Sequence, residues 1–339
     1  MTLLLDKRFD NPKTLVLLSI LALVSGAITT VYCFIGYLFL PLSAALLSAL
    51  YLFDKSKYKF LSVGVTVLML VADGLLTYFL GYIYTFCCLL AVGVALTMAL
   101  TLAKEKTKAF SAAVSTCTLS VGFFLYLYVV GATVIGSADF VAVLDYYSYI
   151  VSQLREIFVG VALESAGALE NSAELTAGTV ALAFDMMVNS MIAYVAVAAF
   201  LLVGIAHKIL SKLMLSFAAD KARVERRRFL PNTVFAYFYV IANILTFFVS
   251  GTDAFMLTLA NLVVVFRFVY AYLGFRIARA YLGERIKSGF VVYLVLIAAT
   301  VMFSSMFVEL LSIIGAVLCI VATHRRVSDD SDFNNNPEG

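Results

Sequence analysis

The chain reads as an all-α polytopic integral membrane protein of about ten transmembrane helices (eight to ten), with one further amphipathic helix outside the bilayer. Three observations predict this. Apolar residues make up 63% of the 339 positions and charged residues only 13%, where soluble chains carry about 25% charged residues. Apolar runs recur at or above the ~20 residues a helix needs to cross the hydrocarbon core. Of the 24 Lys and Arg, all but Arg155 and Arg267 fall in clusters between those runs, and alternate threading puts every cluster on one side. By the positive-inside rule that side is the cytoplasm. The chain is therefore expected in a bacterial cytoplasmic membrane, with both termini inside.

Each element follows from where the charges fall. Lys7, Arg8 and Lys13 precede an apolar run from Thr14 to Phe53. That run is about twice the length of one span, and Gly36 and Pro41 are expected to break it into a helical hairpin. Lys55, Lys57 and Lys59 bring the chain back inside. A second hairpin, Phe60–Leu80 and Tyr82–Ala103, turns at the uncharged Gly81 and ends at Lys104, Lys106 and Lys108. A fifth span, Phe110–Ile135, leads outward.

From Ser137 to Ala177 the charge reverses, with six acidic residues and the single base Arg155. Phe140, Leu144, Tyr147, Val151, Leu154, Phe158 and Val161 recur at helical spacing, opposite Asp145, Ser148, Ser152, Arg155 and Glu156. This predicts an amphipathic helix. Its polar face lacks the Lys and Arg of an interfacial helix, which favours packing on the protein. Asn171 and Glu174 resemble a capping box leading into a sixth span, Thr179–Ala206.

A basic stretch from Lys208 to Arg228 follows, and Pro231 opens a seventh span. Gly251-Thr252-Asp253 forms an outer turn before the eighth, which ends at Arg276, Arg279, Arg285 and Lys287. The run Phe290–Ala322 would measure about 50 Å as one helix. A hairpin turning near Ser304, Ser305 and Glu309 fits a bilayer better, with Glu309 in headgroup water. The polar tail from Val327 is expected to be disordered. The predicted organisation is a five-helix bundle over 1–136, an extracytoplasmic helical segment over 137–177, a second five-helix bundle over 178–326, and a tail over 327–339.

This threading leaves Asp73, Asp185 and Arg267 inside spans, where each costs about 2.5–3.5 kcal/mol on insertion scales. At 1.5 Å per residue, Asp73 and Arg267 lie about 20 Å and 13 Å from the inner surface, so their pairing is preferred over one of Asp185 with Arg267. Such charges either line a polar site or lock helices together. Asn189, Asn243 and Asn261 either line the same site or hydrogen-bond between helices. The candidate substrate-binding residues are Asp73, Asp185, Arg267, Asn189 and Asn261. The five cysteines, Cys33, Cys87, Cys88, Cys117 and Cys319, all sit in apolar runs, and they read as packing residues. Phosphate-loop, dinucleotide, zinc and nucleophile-elbow motifs are missing. No catalytic residue, metal, cofactor or nucleic-acid partner is predicted, and the chain is not read as an enzyme.

Pro231, Ala260-Asn261-Leu262, Gly274, Gly315 and the terminal His324-Arg325-Arg326 together resemble the DUF2232 family of bacterial membrane proteins, also called YybS-like. The resemblance covers roughly the last hundred residues, extends elsewhere only through topology, and does not include Arg267. That family has no settled activity. Its N-terminal helices are similar to the substrate-binding subunits of energy-coupling-factor importers, which bind vitamins or metals and dock onto a shared ATPase module. The resemblance implies a small-molecule-binding transport subunit working with a separate ATPase and a coupling membrane subunit. The alternative is a non-transport scaffold or assembly protein of the bacterial envelope.

Overall fold

The computed structural model describes residues 12–31, 33–53, 59–80, 86–104, 108–167, 177–217, 233–248, 254–286 and 288–335. Among these residues there are eleven α-helices and no strand: α1 Pro12–Val31, α2 Cys33–Phe53, α3 Lys59–Leu80, α4 Phe86–Ala103, α5 Lys108–Ile135, α6 Phe140–Gly167, α7 Ala177–Asn189, α8 Met191–Phe217, α9 Thr233–Phe248, α10 Ala254–Arg285 and α11 Gly289–Asn335. Three stretches are long and apolar enough to cross a membrane: Phe110–Ile135, Met191–Met214 and Phe255–Arg285. Shorter apolar stretches run from Leu15–Thr29 to Met306–Val321. Large apolar side chains such as Phe60, Phe79, Leu125, Ile192 and Phe255 are exposed along these helices. A monomeric soluble protein keeps such patches small; a hydrocarbon surround does not require it.

The helices group into two compact units, one of residues 1–188 and 198–229, the other of 189–197 and 230–339. In the first unit α2 packs against both α1 and α4. Small residues make this possible: Ala44, Ala45, Ala49, Ala91 and Ala95 are fully buried, together with Leu47, Val94 and Met98. Ser48 hydrogen-bonds to the Ala44 carbonyl of its own helix and to that of Ala95 on α4. Ala199, Val203, Ala206 and Leu210 of α8 complete this core.

The connection from α5 to α6 is built from local chemistry. Gly136 takes a φ of 67°, a left-handed conformation glycine adopts freely. Ser137 N–H then donates to the Ala132 carbonyl, closing α5 with a Schellman-type bond. Asp139 caps α6 by accepting from Val141 N–H.

In the second unit α10 and α11 make the main contact, with α9 packed on both. A Cβ at Gly274 would overlap the Leu311 carbonyl, and one at Gly315 would overlap the Tyr270 carbonyl. The two backbones therefore touch where glycine allows it. Tyr239 and Tyr270 stack beside this crossing with centroids 5.3 Å apart, and both are fully buried.

Three expectations need correction. Gly36 and Pro41, expected to break the first apolar run, both lie inside α2, and Pro41 is buried. Proline removes one backbone donor, and a packed helix tolerates that loss. The predicted final hairpin is one continuous helix of 47 residues. No glycine or proline lies between Gly289 and Gly315 to interrupt it, and Glu309 finds a partner along its length. The same helix runs into the polar tail as far as Asn335, since extending a formed helix costs far less than starting one. The Gly81 link, the Asn171–Glu174 cap, Lys221 to Arg228, Pro231 and the Gly251-Thr252-Asp253 turn lie outside the described residues.

Candidate functional site

The predicted sixth span is interrupted. α7 ends at Asn189 and α8 begins at Met191. In an uninterrupted helix the Ala193 N–H would donate to the Asn189 carbonyl four residues back. Here the side chain of Asn261, on α10, stands in that rung. Its Oδ1 accepts from Ala193 N–H at 3.1 Å, and its Nδ2 donates to the Asn189 carbonyl at 2.9 Å. The same Nδ2 lies 2.8 Å from the Leu257 carbonyl one turn back on its own helix. A side-chain amide suits this position because it carries a donor and an acceptor together. Insertion of a side chain into the backbone ladder is a recognised cause of a helix break. Asn189 takes part through its backbone, and its side chain is exposed.

The candidate charges fall in three settings. Asp185 on α7 pairs with Arg155 on α6: Nε meets Oδ1 at 2.9 Å, and the terminal nitrogen meets Oδ2 at 3.0 Å. Phe158 packs on Phe184 next to this pair, with centroids 5.4 Å apart. The hydrogen bonds and charge of Asp185 hold the Arg155 guanidinium above its already high pKa. Arg267 meets Glu309 on α11 at 3.4 Å, in place of the predicted Asp73. Asp73 is only 2% exposed and lies within electrostatic range of Cys88. Glu309 is thereby moved from headgroup water to an interhelical contact.

Among the described residues of the second unit, Arg267 Nε and Tyr270 Oη are buried without a hydrogen-bond partner. On the α9 side, Tyr239 Oη lies 2.6 Å from Ser312 Oγ, and Asn243 Nδ2 donates to Tyr239 Oη at 3.4 Å. Chemically this is a set of hydrogen-bond donors in an aromatic wall, with one carboxylate among them.

In the first unit sequence reasoning missed a seam of hydroxyls. Thr97 meets Ser115 at 3.1 Å, and one turn further Thr101 donates to Ser111 at 2.7 Å. Ser111 in turn lies 3.3 Å from Nε2 of the buried His207 on α8. The signal was present in the sequence, as two pairs at four-residue spacing on consecutive helices. Among the described residues, no three His, Cys, Asp or Glu side chains group closely enough to hold a metal ion.

The sequence singled out Asn189 and Asn261 and the charges Asp73, Asp185 and Arg267, but the interrupted helix and the partners Arg155 and Glu309 emerge only from the packing. No family model, no curated protein and no solved structure matches this chain.

Proposed function

We propose that the chain is the small-molecule-binding subunit of a membrane transporter, threaded about ten times through a bacterial cytoplasmic membrane with both termini inside. It would act with a separate ATPase and a coupling membrane subunit, as the resemblance to DUF2232 proteins implies. The observation that carries this reading is the helix interrupted between Asn189 and Met191 and bridged by Asn261. In an apolar surround, freed backbone groups need a substitute partner. Transporters place substrate at such interruptions, because carbonyls and amides released from the ladder are ready to receive it. An amide side chain that supplies both bonds can be exchanged for a ligand that supplies both.

Native mass spectrometry of the protein extracted gently from its host membrane tests this reading. A bound small molecule, or a co-purifying ATPase with a membrane coupling subunit, is expected. The Asp73→Asn variant should stay folded and lose the ligand. A protein that carries only lipid and envelope proteins would overturn the transport reading in favour of an envelope scaffold. The ion pairs at Asp185 and Arg267 would then serve only to lock helices.

A further inference from the structure

The face of α6 that the sequence assigned to protein packing is largely bare. Leu154, Ile157, Phe158 and Val161, at i, i+3, i+4 and i+7, are 51%, 61%, 43% and 57% exposed. Phe140 and Leu144 continue the row and are also exposed. The contact with α5 is made by Val143 and by Tyr147, the latter a member of that predicted face. Both close on Gly131, and Tyr147 Oη donates to the Leu127 carbonyl. The far half of α6 is tied to α7 through Arg155–Asp185 and Phe158–Phe184.

We infer that this apolar row is a lipid-binding surface, and that α6 lies in the bilayer interface at the C-terminal end of α5. Two observations point to lipid as the occupant. The adjoining span also exposes apolar side chains, Val121, Leu125, Val129 and Val134 among them. Tyrosines also gather where α5 turns into α6: Tyr126, Tyr128, Tyr146, Tyr147 and Tyr149. Tyrosine belts mark the headgroup level, and this chain has no tryptophan to mark it otherwise. Tyr128 Oη donates to the Ala138 carbonyl in the connecting turn, which fixes the start of α6 at that level. The exposed charges Asp145 and Glu156 stand on the opposite side of the helix. An interfacial helix buries its apolar face about 5–10 Å into the headgroup and acyl boundary. Helices of this kind that bind anionic lipid carry Lys and Arg, so here the attraction is to acyl chains and not to headgroup charge.

The lack of tryptophan supplies the test, because any introduced indole reports alone. Leu154→Trp and Phe158→Trp, each in the full chain reconstituted in phosphatidylcholine vesicles, are compared with Ser152→Trp on the polar side. The two apolar-face variants should emit at short wavelength. Bromines high on the acyl chain should quench them more strongly than bromines near its end, and aqueous iodide should leave them bright. Ser152→Trp should show the reverse. Leu154→Trp leaves the Phe158–Phe184 contact in place and guards against local disruption. Quenching of the apolar-face variants by iodide would put the row in water. Short-wavelength emission unaffected by brominated lipid would put the row against protein, a second copy if the emission follows protein density in the vesicle. Either result overturns the inference.

Discussion

In the first unit the central helices approach one another over alanine and serine, whereas in the second α10 and α11 touch backbone to backbone at two glycines and fill the flanks with tyrosine. The difference lies in where each unit stores its specificity. Between α2 and α4 many small side chains share the contact, and Ser48 adds one interhelical hydrogen bond. Between α10 and α11 the approach depends on Gly274 and Gly315, and the polar cluster of Arg267, Glu309, Tyr239 and Ser312 stands around it. Lipid chains are as apolar as the helices, so close packing and hydrogen bonds must supply what water would supply in a soluble protein. A distributed contact of this kind loses little at any one position, and a focused one loses much.

The sharpest way to break the comparison is at the glycines. Gly274→Ala and Gly315→Ala each push a methyl group into a backbone carbonyl, which cannot rotate away as a side chain can. Overpacking of this type costs about 1–3 kcal/mol, and these positions belong at or above the top of that range. Gly204→Ala in α8 is the control, since nothing lies within 4 Å of the added methyl. It should gain up to about 1 kcal/mol from helix propensity. Denaturant titration of the detergent-solubilised protein, followed by circular dichroism, measures both. Equal stability for Gly315→Ala and Gly204→Ala would refute the backbone contact.

These glycines also show what could be read from the chain alone. Gly274 and Gly315 stand out as residues, and Asn261 as a polar group in a span, but the sequence does not say what each one meets. Helix identity was legible because it depends on hydropathy and on the spacing of charges, both local. The break at Asn189 was not, because the residue that causes it lies on α10, far along the chain. Glu309 was misplaced for the same reason. A carboxylate in an apolar run reads as a turn until its partner Arg267 is known. Of the α6 face assigned to protein, Tyr147 does pack, together with Val143, where α5 approaches at Gly131, while Leu154 and Val161 stay bare because no described helix reaches them.

The next largest effect is expected at the Arg267–Glu309 pair. Removing one partner of a buried ion pair costs about 3–5 kcal/mol. These side chains are only partly buried, and separated helices in a bilayer find other polar partners, which lowers the expectation to about 1–2 kcal/mol. Arg267→Gln and Glu309→Gln should each destabilise, and the double variant should lose less than the sum of the two. A double-mutant cycle isolates that coupling. Strict additivity would mean that the 3.4 Å contact carries no interaction. A loss of ligand in Arg267→Gln without loss of stability would shift this group from locking helices to binding substrate.

The smallest effects should come from the hydroxyl seam of the first unit, and their order tests whether that seam is in fact distributed. Thr101→Val is nearly isosteric and deletes one interhelical hydrogen bond. Such bonds average about 0.6 kcal/mol between membrane helices. The remaining hydroxyl of Ser111 still faces His207 at 3.3 Å, so no polar group is stranded. Ser111→Ala removes the central member instead, and takes a partner from Thr101 and from His207 together. His207 is only 9% exposed, and a buried polar group deprived of its partner costs about 1–3 kcal/mol. Ser111→Ala should therefore destabilise more than Thr101→Val. Volume points the same way, because Ser111→Ala deletes a single buried oxygen whereas Thr101→Val only exchanges one for a methyl. If Thr101→Val proves the more damaging, the seam is held by packing at Thr101 and the link to His207 contributes nothing. If both changes remain small beside Gly315→Ala, the contrast between a distributed and a focused interface stands on measured energies.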